Sequence, residues 1–217
     1  MIPPLASLTP KESKMPFIKV CGLTDPANID EVLALGIHYV GFIFYPSSAR
    51  FVGEIDPDYL RSIKTAKKTA VFVNASFDEI APIVNKFQFD AVQLHGDESP
   101  HLCSQVQDLG VQTIKAFGVN SSFNFNILEP YLKVVDYFLF DTKTPLYGGS
   151  GKAFDWSVLE HYPYPIPYFL SGGIGPENIS ATYEFKDERL FALDLNSRFE
   201  NSPGIKNIEL LKQVLKA

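Results

Sequence analysis

Apolar and polar positions alternate along the chain in a repeating pattern that starts at Phe17. A short run of β-branched or aromatic residues is followed by a polar turn and then by a helix-like segment. Apolar runs of this kind, bounded by turn residues, are typical of buried parallel strands. The pattern predicts eight strands, at 17–22, 38–44, 69–74, 90–96, 111–117, 136–141, 167–173 and 189–196.

The segments between these runs carry helix signals. Asp25 and Pro26 supply a cap and a first helical position, and Gly36 is suited to end the helix that follows. Similar signals predict six helices, at 27–36, 56–65, 76–87, 99–110, 176–185 and 207–217. Two further segments, 121–133 and 155–161, begin with capping residues, but their Pro and Tyr content weakens the helix signal.

The order of these elements predicts the fold class. Strict alternation of strand and helix indicates an α/β protein with a parallel sheet. Eight units favour closure into a single-domain (β/α)8 TIM barrel, with an open doubly wound sheet of about five to seven strands as the alternative. We expect the barrel at 16–217, preceded by a flexible tail at 1–15 that is rich in Pro, Ser, Thr and Lys.

Composition excludes several classes of protein. Of the 217 residues, 46% are hydrophobic and 20% are charged, which predicts a large core and not a disordered chain. The net charge of −6 disfavours sequence-independent binding to nucleic acid. No apolar run reaches the roughly 18 residues of a membrane span, and two cysteines supply no disulfide framework. We therefore expect a cytoplasmic protein that binds neither nucleic acid nor a membrane.

Candidate chemistry is expected where the strands end, because barrel active sites lie at the C-terminal ends of strands and in the loops that follow. The polar residues and glycines at these positions are Cys21, Arg50, Asn74, Gln93, His95, Asp141, Gly172, Gly173, Asp194, Asn196 and Ser197. Lys19 shares a strand face with Cys21. Two interpretations of Lys19 stay open: a buried ion pair with Asp194, or a side chain that reaches solvent.

Six stretches, taken together, resemble the phosphoribosylanthranilate isomerase family of tryptophan biosynthesis. They are KVCGLTDPANI (19–29), VGFIFYPSSARFV (40–52), AVFVN (70–74), VQLHGDE (92–98), FDTKTPLYGGSGKAFDW (140–156) and LSGGIGPENI (170–179). The resemblance implies a (β/α)8 barrel enzyme that needs neither a metal nor an organic cofactor. Its implied reaction is the Amadori rearrangement of N-(5-phosphoribosyl)anthranilate to 1-(2-carboxyphenylamino)-1-deoxyribulose 5-phosphate.

The resemblance also implies roles for single residues. Cys21 matches the general base, Asp141 the general acid, and Arg50 the arginine that holds the anthranilate carboxylate. The other substrate-binding candidates are Gln93, His95, Gly172, Gly173, Asp194, Asn196 and Ser197. The phosphate is expected at the loops after strands seven and eight. There the run DLNSRFE departs from the DVSSGVE-like run of many members, and Arg198 either contacts the phosphate or points to solvent.

The implied reaction requires an acid and a base on opposite sides of the substrate. The acid protonates the ribose ring oxygen so that the ring opens to a Schiff base, and the base removes the C2′ proton to give an enolamine. Asp141 must therefore enter the reaction protonated. Cys21 must be partly thiolate, which requires a lowered pKa or a cationic neighbour.

Other functions remain open on the sequence alone. A lyase or epimerase for another sugar phosphate shares the phosphate site of such barrels, although only four His are available for a zinc centre. A catalytically inactive barrel and use of the related aminoaldose of histidine biosynthesis are further alternatives. The oligomeric state, monomer or homodimer, is also open. The Gly-rich segment after Asp141 predicts a long loop over strand six; its GGSGK lacks the first glycine of a nucleotide-binding P-loop.

A first test concerns the prediction that the folded domain begins near Met15. We expect a protein shortened to begin at Met15 to unfold at the same urea concentration as the full chain, because residues 1–14 lack the alternating apolar pattern. Circular dichroism measured during urea titration compares the two proteins. Failure of the shortened protein to fold would contradict the predicted boundary.

Overall fold

The computed structural model describes residues 15–142 and 155–215. The predicted tail and most of the predicted loop after Asp141 lie outside these ranges. Eight parallel strands pair in sequence order, and the first pairs with the last to close a barrel. The strands are β1 (Phe17–Cys21), β2 (Tyr39–Ile43), β3 (Lys67–Phe72), β4 (Ala91–Leu94), β5 (Gln112–Val119), β6 (Tyr137–Thr142), β7 (Tyr168–Leu170) and β8 (Leu190–Leu195). The predicted closed barrel is confirmed, and the open sheet is wrong.

The six predicted helices are present, and the first five are shorter than predicted. They are α1 (Pro26–Leu33), α2 (Pro57–Ser62), α3 (Phe77–Phe87), α4 (Pro100–Gln107), α5 (Ile179–Glu184) and α6 (Ile208–Leu215). The Asp25 side chain accepts a hydrogen bond from the Asn28 amide and caps α1 as predicted. The two weak segments form 3-10 helices, at Phe125–Tyr131 and Trp156–His161. Pro130 lies inside the first of them and cannot donate to a helical ladder.

The interior of the barrel divides into an apolar end and a polar end. Near the start of the strands, the rings of Phe17, Phe169 and Phe191 pack at centroid distances of 5.0–5.3 Å. Successive side chains of a strand alternate between faces, so Lys19 and Cys21 share the interior face with Phe17. The polar side chains therefore lie at the opposite, C-terminal end.

A short hairpin after β8 was not predicted. Its strands are β9 (Glu200–Ser202) and β10 (Ile205–Lys206), which pair antiparallel. Asn28 of α1 holds the hairpin: its Nδ2 donates to the Lys206 carbonyl at 3.0 Å, and its Oδ1 accepts from the Lys206 amide at 2.7 Å. The hairpin thus lies against the loop that follows β1. Among the helices of the described ranges, none is long and apolar enough to cross a membrane.

Candidate active site

The residues predicted as the acid and the base lie at the same end of the barrel, where the strands end. We call this C-terminal end the mouth of the barrel. Cys21 ends β1, Asp141 lies at the end of β6, and His95 directly follows β4. All eight strands run parallel, so these residues lie at the same end of the barrel. The sequence order of the elements therefore places all three side chains within one potential site.

Lys19 and Asp194 form the buried ion pair that was one of the two interpretations. They occupy paired positions on β1 and β8, and Lys19 Nζ lies 2.9 Å from Asp194 Oδ2. Their side chains are 0% and 4% exposed. Burial lowers the pKa of Lys19, but the Asp194 carboxylate and the Cys21 sulfur outweigh it and raise the pKa above its ordinary value. Lys19 is therefore held as an ammonium ion beneath Cys21.

Cys21 is buried at the end of β1 and faces Gly41 of β2. A Cβ atom on Gly41 would lie 2.7 Å from the Cys21 sulfur, so only glycine leaves room for the thiol there. The cationic neighbours that a thiolate requires are present as Lys19 and Lys206. Burial nevertheless exceeds their effect and raises the pKa of the Cys21 thiol.

Asp141 is held by contacts to both of its carboxylate oxygens. The Thr142 amide donates to Oδ1 at 2.7 Å, and His95 Nε2 lies 3.3 Å from Oδ2. Gly172, with a φ of +87°, packs directly against this carboxylate, because a Cβ there would lie 2.9 Å from Oδ1. His95 is in turn 2.6 Å from Gln93, between His95 Nδ1 and Gln93 Nε2. Gln93 and His95, predicted as substrate-binding candidates, thus lie next to the candidate acid.

Arg50 reaches the mouth from the loop after β2 and is fixed by a residue that the sequence analysis missed. Glu200 of β9 accepts from Arg50 Nε at 2.9 Å and from Nη2 at 2.8 Å. Lys206 of β10 also donates to Glu200, at 2.6 Å, and to Asn196 Oδ1 at 2.8 Å. Burial raises the pKa of Glu200, but Arg50 and Lys206 outweigh it and hold the pKa below its ordinary value. A charged Glu200 therefore links Arg50 to the hairpin.

The loops after β7 and β8 contain the glycines and polar residues expected to hold the phosphate. Gly172 and Gly173 have φ values of +87° and +67°. Ser197 begins a short 3-10 helix that directly follows Asn196. Arg198 does not simply point to solvent, because its guanidinium pairs with the Glu177 carboxylate of the β7–α5 loop.

A second buried ion pair, also missed, holds the loops after β3 and β4. Lys115 Nζ of β5 lies 3.1 Å from Glu98 Oε2, with both side chains at most 2% exposed. Glu98 accepts from the amides of Asn74 and Gly96 at 2.9 Å. Asn74, predicted as a strand-end candidate, therefore serves in this loop network. The stretch HGDE marks the region, but periodicity gives no sign that Glu98 pairs with Lys115.

The acidic, histidine and cysteine side chains of the described residues form no cluster of metal ligands. Within residues 15–142 and 155–215, no three of these side chains come together as ligands would.

The chain is similar to proteins of one family. A sequence model of the N-(5'-phosphoribosyl)anthranilate (PRA) isomerase family matches residues 18–217. N-(5'-phosphoribosyl)anthranilate isomerase of Parabacteroides distasonis is 45% identical over 92% of this chain and 91% of its own. Phosphoribosyl anthranilate isomerase from Thermotoga maritima has a TM-score of 0.76 and 35% identity, covering 93% of this chain and 98% of its own.

A further solved structure holds a ligand. It is a phosphoribosyl anthranilate isomerase in complex with reduced 1-(o-carboxyphenylamino)-1-deoxyribulose 5-phosphate. That structure has a TM-score of 0.73 and 31% identity, and the match covers 93% of this chain and 97% of the other.

The Lys19–Asp194 pair gives a stability prediction. We expect Lys19→Met to lower the free energy of unfolding by about 3–5 kcal/mol, because it leaves the Asp194 carboxylate buried without its cation. The double variant Lys19→Met/Asp194→Leu should recover most of this loss. Urea unfolding at neutral pH measures both. Lys64→Met, at an exposed lysine, is the control and should change stability by less than about 0.5 kcal/mol. Equal losses in Lys19→Met and the double variant would contradict a charge-pair role.

Proposed function

This chain belongs to the N-(5'-phosphoribosyl)anthranilate isomerase family, and from that premise we propose a mechanism in which Asp141 is the general acid and Cys21 the general base. The family places the chain in tryptophan biosynthesis as an isomerase. The proposed reaction converts N-(5-phosphoribosyl)anthranilate to 1-(2-carboxyphenylamino)-1-deoxyribulose 5-phosphate. The observation that carries the proposal is the placement of a hydrogen-bonded carboxyl and a thiol with cationic neighbours at one barrel mouth.

The first step opens the ribose ring. Asp141 donates its proton to the ring oxygen while the C1′–O bond breaks and the anilino nitrogen lone pair forms a C=N bond. The carboxylate that results keeps two N–H donors, from Thr142 and His95. Such donors stabilise the charge that develops as the proton leaves.

The second step removes the C2′ proton. The Cys21 thiolate takes this proton, the electron pair of the C–H bond forms the enolamine C=C bond, and the Schiff-base nitrogen becomes neutral. The enolamine then tautomerises to the ketone. Lys19 and Lys206 stabilise the thiolate that burial disfavours. The rate of this step should therefore increase as pH rises toward the raised pKa of the thiol.

Arg50 is proposed to hold the benzoate carboxylate of the substrate. Glu200 occupies the side edge of the guanidinium, formed by Nε and Nη2. The end edge, formed by Nη1 and the second N–H of Nη2, can accept a bidentate carboxylate. Within the described ranges, no residue accepts a hydrogen bond from Nη1. Glu200 thereby orients the guanidinium without using the edge that the substrate needs.

The remaining candidates are proposed to bind the ribose and phosphate. The backbone amides near Gly172 and Gly173 can approach an anion closely because these residues lack a Cβ atom. Asn196 and Ser197 lie on the loop after β8, the strand that pairs with β7. Gln93 and Asp194 are buried in the barrel interior, and His95 follows β4 at its C-terminal end; we assign all three to the ribose. This assigns the phosphate to the usual location in such barrels.

Turnover of purified protein tests the acid and the base together. We expect the wild type to convert freshly prepared N-(5-phosphoribosyl)anthranilate, followed by anthranilate fluorescence. Asp141→Asn and Cys21→Ser should each lower kcat by about 10²–10⁴-fold, because each removes a proton-transfer group. Cys103→Ser is the matched control: Cys103 is buried within α4 and should leave kcat unchanged within about two-fold. A folded wild type without turnover would contradict the proposed reaction, and full activity in either site variant would contradict its role.

Substitution of Arg50 tests the carboxylate site. We expect Arg50→Lys to raise KM by about ten-fold or more with a smaller change in kcat, because an ammonium cannot bind Glu200 and a second carboxylate in bidentate fashion. Steady-state kinetics measure both constants. Arg61→Lys, at a surface arginine paired with Asp58, is the control and should leave KM unchanged. An unchanged KM in Arg50→Lys would place the carboxylate elsewhere.

A further inference from the structure

Gln93, His95 and Asp141 form a chain of close polar contacts that ends at the proposed acid. Gln93 Nε2 lies 2.6 Å from His95 Nδ1, and His95 Nε2 lies 3.3 Å from Asp141 Oδ2. An amide nitrogen donates hydrogen bonds and does not accept them. Nδ1 is therefore the acceptor, and the proton of the neutral imidazole is on Nε2, facing the carboxylate.

The second oxygen of Asp141 supports the same assignment. Oδ1 accepts the Thr142 amide at 2.7 Å, so an N–H donor lies at each oxygen of the carboxyl group. Gly172 packs against Oδ1 and leaves little freedom for the group to turn. The Thr142 amide and His95 Nε2 therefore face the two oxygens of Asp141, which is the arrangement that a developing carboxylate requires.

The charged groups near these contacts include Lys115 of β5, which donates to the carbonyls of Leu94 and Gly96 on either side of His95. They also include Asp194 of β8 and its partner Lys19 of β1. Burial raises the pKa of Asp194, Lys19 opposes the increase, and the more distant Asp141 and His95 have smaller effects of opposite sign. Two carboxyl groups thus share the interior next to one imidazole. Lys19 is the partner of Asp194, which leaves His95 as the donor for Asp141.

We propose that Gln93 is a positioning residue for Asp141, because it fixes His95 in the tautomer that donates from Nε2. The imidazole then stabilises the carboxylate formed when Asp141 gives its proton to the ribose ring oxygen. This inference rests on the proposed function. In that step the Asp141 O–H bond breaks and the ring C–O bond breaks, while Gln93 and His95 keep their own protons.

The surroundings of Gln93 explain why an amide is suited to this task. Gln93 is 1% exposed, and its Oε1 has no hydrogen-bond partner among the described residues. The contact with Nδ1 is therefore the hydrogen bond that orients the amide. A carboxylate of the same shape would instead attract a proton onto Nδ1 and turn His95 into a cation between two acids.

Imidazole nitrogen spectra test the tautomer without substrate. In the wild type at neutral pH, ¹⁵N–¹H correlations should show the His95 proton on Nε2 alone; His95→Asn assigns the signals by their loss. Gln93→Glu should add a proton on Nδ1, and Gln93→Met should populate both tautomers. A proton on Nδ1 in the wild type would mean that the amide oxygen faces the ring, and would overturn the inference. An unchanged spectrum in both variants would do the same.

The single-turnover rate tests the consequence for catalysis. Gln93→Glu and Gln93→Met should each lower the rate of the chemical step by about ten-fold or more, with KM changed by a smaller factor. Gln107→Glu, at the end of α4, makes the same change outside the chain and should alter neither the spectrum nor the rate. If Gln93→Glu does not fold, Gln93→Met decides the result.

The outcomes separate this inference from the proposed function. A wild type that fails to convert the substrate contradicts the proposed function, whereas the spectra still report the tautomer. A wild type that converts the substrate, with both Gln93 variants within about two-fold of its single-turnover rate, contradicts the positioning role alone.

Discussion

The pairing of β1 with β8 is the constraint on which the arrangement of side chains at the mouth of this barrel depends. Closure of eight strands brings Lys19 and Asp194 to paired positions in the interior, where neither charge reaches water. An unpaired charge at such a depth would cost several kcal/mol, so each residue is tolerable only with the other. Lys19 of this pair in turn supplies positive charge below Cys21, and Asp194 opposes its effect on the thiol. The element that closes the fold therefore also sets the electrostatics of the proposed base.

The same principle recurs at the other proposed functional groups, each of which is held by a polar partner that is wholly or mostly buried. Glu200 holds Arg50 and is itself neutralised by Lys206. His95 holds Asp141. A side chain that is already fixed by a partner loses less conformational freedom when substrate binds than a mobile side chain does. This preorganisation is the usual source of transition-state stabilisation in polar sites. The hairpin after β8 contributes to the site because it carries both Glu200 and Lys206, which lie next to Arg50 and Asn196.

Local patterns in the sequence were sufficient to predict the barrel and to identify the polar residues at its strand ends. Apolar runs located all eight strands, since each buried strand reads as a short continuous stretch. The β9–β10 hairpin was not predicted, because strands of three and two residues are too short for a period to appear. The segment 121–133 gave only a weak helix signal because of its Pro and Tyr content, and it forms a 3-10 helix at Phe125–Tyr131. The roles of Glu98 and Glu200 were not predicted for another reason. Their partners lie 17 and 150 residues away in sequence, and pairing of that kind depends on register and loop path.

The loop after β8 shows how this chain accommodates its departure from the common family pattern. Arg198 stands where many members have glycine, and it adds a positive charge near the loops expected to bind phosphate. Glu177 on the opposite loop adds a negative charge, and the two form an ion pair whose side chains are 41% and 53% exposed. The local charge is therefore balanced. An exposed pair contributes only about 0–1 kcal/mol, so it constrains these loops weakly, and the substitution is compatible with an anion bound by the backbone near Gly172 and Gly173.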